Sequence, residues 1–455
     1  MSPKKKSSFF PWFVAGIFVL LLCASLYFDS KDKTEKTKIR IYSMSKDDIK
    51  AFELDNKTTG ETVAFERYGM DWSMVRPKSY EIEKTDVEKA VTHIAALMID
   101  RKIENAGVLS DYGLEKPGFA VNFALKSGKQ LSLLIGDKNP TGNFYYVKDK
   151  ERKELFVAYS YSVENFMKSS AEFRKKSLFE LDPEKISKTV FRSEVREFSL
   201  VKKESKDWEI KPYGFKGNNE EIKNTIQKML SLKAKSIIAD SAADLKKYGL
   251  EKPKLTLTAE SVDNKTVVML IGNKHLNKDE DYAKLENSPV IYTIDGAFMP
   301  ALDKTYNYFR ESKLFYLSGS DVDEMEIIKN KSKIVIKKNK KGLFEVAEPA
   351  RDLEAKRSET LCNDLLRTLS TLRAQTFADD SGQKYEKYGL REPKTIITVY
   401  ELRNNEKIAK EKLFIGDAVK KIYYAKTGAG DSVYTIGSEV INAIDKIEKA
   451  VEVKQ

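Results

Sequence analysis

The sequence predicts an α+β chain: an N-terminal transmembrane helix followed by three tandem repeats of an antiparallel-sheet-plus-helix domain. Three observations predict it. One phrase occurs three times, as Tyr112-Gly113-Leu114-Glu115-Lys116-Pro117, Tyr248-Gly249-Leu250-Glu251-Lys252-Pro253 and Tyr388-Gly389-Leu390-Arg391-Glu392-Pro393. Its tyrosines stand 136 and 140 residues apart, which is the period of a domain used three times and not of a solenoid of small units. Between the phrases, short stretches of alternating polarity are interrupted once per copy by apolar residues at helical spacing.

The first element is the anchor. Lys4, Lys5 and Lys6 precede an uncharged run from Phe9 to Phe28. As a helix this run would rise about 30 Å, the thickness of a bilayer core. Lysines on a short leading tail (1–8) favour a cytoplasmic N-terminus, which puts the remaining chain outside the cytoplasmic membrane. Two other readings fit less well. A lipoprotein signal ending at Cys23 lacks the small residue before the cysteine, and Ala24-Ser25-Leu26 is a poor site for a cleaved signal peptide. Residues 29–38 form a polar linker without apolar periodicity.

The three copies occupy 39–172, 173–310 and 311–455. Trp72, Trp208 and Phe344 correspond at steps of 136. The turns at Gly136, Gly272 and Gly416 correspond, as do Tyr146, Tyr282 and Tyr424. Each copy is expected to open with strands, as at Ile39-Arg40-Ile41 and Ala51–Leu54. A strand bearing the Trp or Phe follows, closing near Pro77, Pro212 or Pro349. An amphipathic helix comes next: Val87, Val91, Ile94 and Met98 in the first copy, with Thr85 as N-cap; Ile222, Ile226, Met229 and Leu230 in the second; Leu361, Leu365, Leu369 and Leu372 in the third. The Tyr-Gly-Leu phrase reads as a structural corner. Gly supplies positive φ, Tyr and Leu pack, and Pro117, Pro253 or Pro393 extends the residue before it. Further strands, a tyrosine-bearing hairpin and a short helix complete the copy. Phe173-Arg174 and Phe309-Arg310 repeat at the ends of copies one and two, where one domain joins the next.

Composition narrows the function. Lys and Arg number 80 against 69 Asp and Glu, a net charge of +11. This modest excess reads as a solvated surface, and no basic stripe interleaved with aromatics marks a nucleic-acid reader. Two cysteines, Cys23 and Cys362, leave the body without a disulfide or a thiolate pair for zinc. His93 and His275 are the only histidines and do not correspond between copies. No nucleophile elbow or phosphate-binding glycine loop is present. Acidic pairs such as Asp47-Asp48, Glu220-Glu221 and Asp379-Asp380 follow from composition, and Asp279-Glu280-Asp281 reads as a solvated turn. Trp72, Trp208 and Phe344 read as core. The expectation is a chain without enzymatic activity, cofactor or metal.

The repeated phrase, the following Ile-Gly-Asp-like turn and the tyrosine hairpin resemble the bacterial domain-of-unknown-function 4340 family. The resemblance covers nearly all of the chain after the anchor. It implies one N-terminal membrane segment, an envelope-facing body and a gene neighbourhood shared with gliding-motility-type ABC transporters. The implied partners are the membrane and ABC-type transporter subunits, in an accessory or scaffold role. It brings no active site. The net charge and the recurring aromatics leave an alternative, a periplasmic binding protein for an anionic polymer or glycan.

Overall fold

The structure is a computed structural model that describes residues 39–104, 106–349, 353–404 and 406–452. The expected anchor (9–28), tail and linker lie outside the described residues, as does Cys23. Among the described residues no helix is long and apolar enough to cross a membrane.

Three antiparallel sheets are present, one within each of the spans 39–172, 173–310 and 311–455. The described chain divides into two compact units. The first runs to Ser177 and takes in Lys233–Ile238; the second holds Leu178–Leu232 and everything from Ala239 onward.

In the first unit the strands are β1 (Ile39–Arg40), β2 (Ile49–Asn56), β3 (Glu61–Tyr68), β4 (Asp71–Arg76), β5 (Met98–Ile103), β6 (Phe119–Leu125), β7 (Gln130–Lys138), β8 (Phe144–Asp149) and β9 (Leu155–Tyr159). They lie in the order β1-β5-β9-β8-β7-β6-β2-β3-β4. Two meanders, β6 to β9 and β2 to β4, thus join through the β6–β2 pair, with Phe52 opposite Phe123. Helix α1 (Lys84–Ala95) buries Val87, Val91 and Ile94 against one face of the sheet. The other face is polar, as befits an antiparallel sheet packed on one side only.

Two expectations for this helix are corrected. Its N-cap is Glu83 and makes no side-chain cap bond; the Thr85 hydroxyl, already inside the first turn, donates to Glu83 at 3.2 Å. Met98 lies beyond the helix, at the start of β5. Phe173 packs edge-on against Phe65, at 5.0 Å, and completes this core from the first residue of the next span.

A buried polar pair is particular to the first copy. The Tyr42 hydroxyl donates to the Asp149 carboxylate at 2.7 Å, and Arg152 lies over the Tyr42 ring. Burial, reinforced by the carboxylate, pushes the Tyr42 phenol well above the usual tyrosine range. A phenol whose folded pKa is raised contributes stability that is complete below its unfolded value of about 10 and is lost as pH rises beyond it. Tyr42→Phe is expected to cost about 2 kcal/mol at neutral pH. Urea titrations at pH 8 and pH 11 should show a smaller alkaline loss in this variant than in the wild type; equal losses would contradict the assignment.

The second unit repeats the plan twice. Its first sheet runs β13 (Phe215–Lys216), β12 (Trp208–Lys211), β11 (Glu197–Lys202), β10 (Ile186–Arg192), β15 (Leu255–Ser261), β16 (Thr266–Lys274), β17 (Glu280–Leu285), β18 (Ile291–Asp295). Ser236–Ala239 (β14) holds the chain position of β5. Its second sheet runs β21 (Phe344–Glu348), β20 (Ser332–Lys338), β19 (Glu324–Lys329), β23 (Thr395–Arg403), β24 (Glu406–Val419), β25 (Ile422–Thr427), β26 (Val433–Ile436), β22 (Thr376–Asp379). Helices α2 (Asn219–Leu230) and α3 (Ala355–Ser370) correspond to α1. Asn218 caps α2 by accepting from the Glu220 and Glu221 amides, so this acidic pair sits at the positive end of the helix dipole. Leu230 is only half-buried, and Leu372, although buried, follows α3 rather than belonging to it.

The third copy ends differently from expectation. Its closing helix α4 (Glu439–Glu452) is 14 residues long, not short. It buries Val440, Ile444 and Ile447 in the copy's core, and Lys329 of β19 bonds to both Asp445 and Glu448 on it. The third core is thus covered by a full amphipathic helix, where the first two copies close with short helical turns.

Candidate functional site

The Tyr-Gly-Leu phrase forms the same corner in all three copies. A 3-10 turn ends on Gly113, Gly249 and Gly389, with φ of 66°, 67° and 66°, a conformation that glycine alone adopts without penalty. The next residue's amide closes the turn: Leu114 to the Leu109 carbonyl at 2.9 Å, Leu250 to Leu245 at 3.0 Å, Leu390 to Tyr385 at 2.8 Å. These leucines are buried, and Pro117, Pro253 and Pro393 precede the strands β6, β15 and β23.

The second repeated glycine has a different reason. Gly136, Gly272 and Gly416 lie against the carbonyl oxygens of Tyr112, Tyr248 and Tyr388, and a Cβ there would come closer than real Cβ atoms do. The Ile-Gly-Asp turn and the Tyr-Gly-Leu turn are therefore two halves of one contact. Asp137, Asn273 and Asp417 close it by resting on the corner glycines.

Tyrosines edge this contact. Tyr112 meets Tyr146 at 4.9 Å, Tyr248 meets Tyr282 at 5.0 Å and Tyr388 meets Tyr424 at 4.8 Å. All but Tyr388 are half-buried, so their outer edges meet solvent. Trp72, Trp208 and Phe344, by contrast, are buried. The Trp72 indole N–H donates to Glu88 of α1 at 3.1 Å.

Other residues of chemical interest have structural partners. His93 bonds through Nδ1 to the Ser162 hydroxyl at 3.0 Å, and burial lowers its pKa. His275 accepts the Asn277 amide at 3.2 Å. Asp47 pairs with Arg67 at 3.1 Å. Glu280 and Asp281 are buried at 5% and 3% exposure, which overturns the solvated-turn expectation; they open β17, and Lys254 neutralises Asp281 from across the sheet. Among the described residues no group of His, Cys, Asp and Glu is placed to hold a metal.

Cys362 is fully buried in α3, and desolvation pushes its thiol up to about 12. Only about one in ten thousand of such thiols is ionised at pH 8. In a Cys23→Ala background the native chain is expected to leave a disulfide-exchange reagent unreacted for hours and to consume one equivalent once unfolded in guanidinium. Prompt labelling of the native chain would refute the buried assignment.

The open sheet faces are the second repeated feature. In copy one, Glu53, Arg76, Asn122 and Lys150 line a depression of about 460 Å³, crossed by a Glu53–Arg76 pair at 3.0 Å. In copy two the same face carries Lys188, Lys211, Thr258 and Glu260 around about 610 Å³, with Lys188 and Glu260 at 2.8 Å. In copy three, Lys333 pairs with Glu326 at 3.1 Å and Lys337 with Glu324 at 3.5 Å.

Sequence reasoning missed the buried Arg310. Its guanidinium lies between the rings of Phe215 and Phe377, 3.6 and 3.8 Å from their centroids. It donates to both Asp380 carboxylate oxygens at 2.9 Å and to the Ser432 hydroxyl at 3.0 Å. The repeat of Phe-Arg at the ends of two copies was the available signal; Asp380 was hidden in an unremarkable acidic pair.

The family described as "Domain of unknown function (DUF4340)" matches residues 72–212, 208–382 and 350–454. This chain belongs to that family. The three matches lie in tandem, as do the three sheets of this DUF4340 chain. No curated protein matches it. A solved structure described as "Ca2+-stabilized adhesin helps an Antarctic bacterium reach out and bind ice" aligns with 86% of this chain and 83% of its own at 5% identity, with a TM-score of 0.08.

Proposed function

We propose that this DUF4340 protein is a non-enzymatic, membrane-anchored envelope protein that serves as an accessory or scaffold component of an ABC-type transport system. The observation that carries the reading is what the repeated residues do. Glycines, leucines, tryptophans and prolines shared by the copies are spent on one corner and one core built three times, and none is presented as a reacting group. Repetition conserves a scaffold, while the charged open faces differ from copy to copy. Tandem domains of one fold with different faces suit a protein that contacts several subunits at once. The apolar run 9–28 supplies the anchor, and the family resemblance supplies the transporter as partner.

The test is crosslinking in cells followed by co-purification through a C-terminal tag, with neighbours identified by mass spectrometry. Enrichment of transporter subunits is the expected result. Recovery of the chain alone, at a crosslinker dose that captures known envelope complexes, would sink the proposal.

A further inference from the structure

The three corners share a backbone but not a charge. At the two positions before the corner tyrosine, copy one has Ser110-Asp111, copy three Glu386-Lys387 and copy two Lys246-Lys247. Where Asp137 and Asp417 rest on their corner glycines, copy two has the neutral Asn273. Beyond that position stand Lys274 and His275 in copy two, Lys138 and Asn139 in copy one, Ala418 and Val419 in copy three. Copy two alone has thus exchanged acids for bases or neutral groups around an unchanged fold.

The bases are available. Lys246, Lys247, Lys252 and Lys278 are exposed, and none has a carboxylate partner among the described residues. The acids nearby are otherwise engaged: Asp279 holds Lys274 at 2.8 Å, Asp281 holds Lys254, and Asp244 accepts the Lys246 amide at 2.9 Å. Glu251 is the remaining exposed acid of the phrase. Rings line up beside the lysines. Lys247 lies 5.6 Å from the Tyr248 ring, Tyr248 meets Tyr282 at 5.0 Å, and His275 meets Tyr282 at 5.3 Å. Nδ1 of His275 already accepts the Asn277 amide, at 3.2 Å, which leaves Nε2 to donate outward. The Tyr248 and Tyr282 hydroxyls have no partner among the described residues.

We infer that the second copy's corner is a binding site for an anionic glycan, with Lys246, Lys247 and Lys252 meeting acidic groups and the Tyr248–Tyr282–His275 row meeting sugar faces. Lysines alone would attract any polyanion; half-buried aromatic edges with free hydroxyls add the apolar and hydrogen-bonding contacts that a saccharide ring accepts. The inference goes beyond the transporter reading and does not rest on it.

The experiment is a calorimetric titration of the full chain with two probes of equal length, an oligogalacturonate and a neutral dextran, at 50 and 300 mM salt. Oligogalacturonate is expected to bind, more weakly at the higher salt, and dextran to bind at least tenfold less tightly. Lys246→Ser with Lys247→Asp, which installs the first copy's residues, should weaken binding at least tenfold. Tyr282→Ala should weaken it at least threefold without altering the salt dependence. Lys203→Ser with Lys206→Asp changes charge equally elsewhere in copy two and should leave affinity within twofold. Equal losses from the two charge variants, an unaffected Tyr282→Ala, or the absence of oligogalacturonate binding would each overturn the inference.

Discussion

Gly416→Ala is expected to destabilise the second unit by about 3 kcal/mol, the upper end of the usual cost of overpacking. The cause is the close approach of two backbones. A Cβ on Gly416 meets the Tyr388 carbonyl oxygen, and the Gly389 carbonyl carbon and oxygen stand at 2.8 Å. None of these atoms belongs to a side chain that can rotate away. Relief therefore requires the Tyr-Gly-Leu turn and β24 to part, and the buried Leu390 goes with the turn. Gly107→Ala is the control: nothing lies within 4 Å of its Cβ position and its φ is unstrained. Hydrogen exchange read by mass spectrometry localises the effect. Peptides covering β23 to β26 should lose protection in Gly416→Ala, while those of β6 to β9 should keep theirs. If Gly416→Ala matches Gly107→Ala in both stability and protection, the contact is not what fixes this residue. Gly136 and Gly272 stand in the same relation to Tyr112 and Tyr248, so the same substitution there should act on their own copies.

The glycines of this contact, though not the contact itself, were legible in the sequence because geometry dictates identity at both of them. A positive φ at Gly389 and a backbone packed onto Gly416 each tolerate one residue type, so the identities recur wherever the fold does. Trp72, Trp208 and Phe344 were legible for a related reason, being a large aromatic core residue at the same place in each copy. Helix limits were not. Met98 and Leu372 sit in phase with the helix before them although each lies past its end, because an apolar residue following the helix can fall at helical spacing by chance. Asp281 was misread because its counter-charge, Lys254, lies 27 residues away, just before β15. The charge contrast among the corners was written in Lys246-Lys247 and Asn273, yet it had no meaning until the structure showed that Asn273 rests on Gly249.

Arg310→Ala should cost about 3 kcal/mol, and Arg310→Lys roughly 2 kcal/mol. Arg310 is 5% exposed and performs three tasks at once. It fills the gap between Phe215 and Phe377, it satisfies the Asp380 carboxylate, and it donates to Ser432, which itself donates to Asp380 at 2.7 Å. Alanine leaves a cavity between two rings and strips Asp380 of its cation. Because the Asp380 side chain keeps a quarter of its surface in water, it is partly rescued by solvent, which holds the loss toward the lower end for a broken buried pair. Lysine keeps the charge but has neither the flat face that lies between the rings nor the second nitrogen that reaches Ser432 while the first holds both Asp380 oxygens. The backbone around Arg310 is independently tied. The Asn218 amide donates to the Phe309 carbonyl at 2.7 Å, and the Glu311 amide to the Lys216 carbonyl at 2.9 Å. The variants should therefore loosen the junction of the second and third copies rather than unfold either sheet. Thermal unfolding gives the magnitudes. Limited proteolysis gives the location, with new cleavage expected between Asp303 and Ser318. A double-mutant cycle with Asp380→Asn isolates the ion pair, for which a coupling above about 1 kcal/mol is expected. Wild-type stability and wild-type proteolysis in Arg310→Ala would show that the two copies are held together by other contacts, and a coupling near zero would assign Arg310 to ring packing alone.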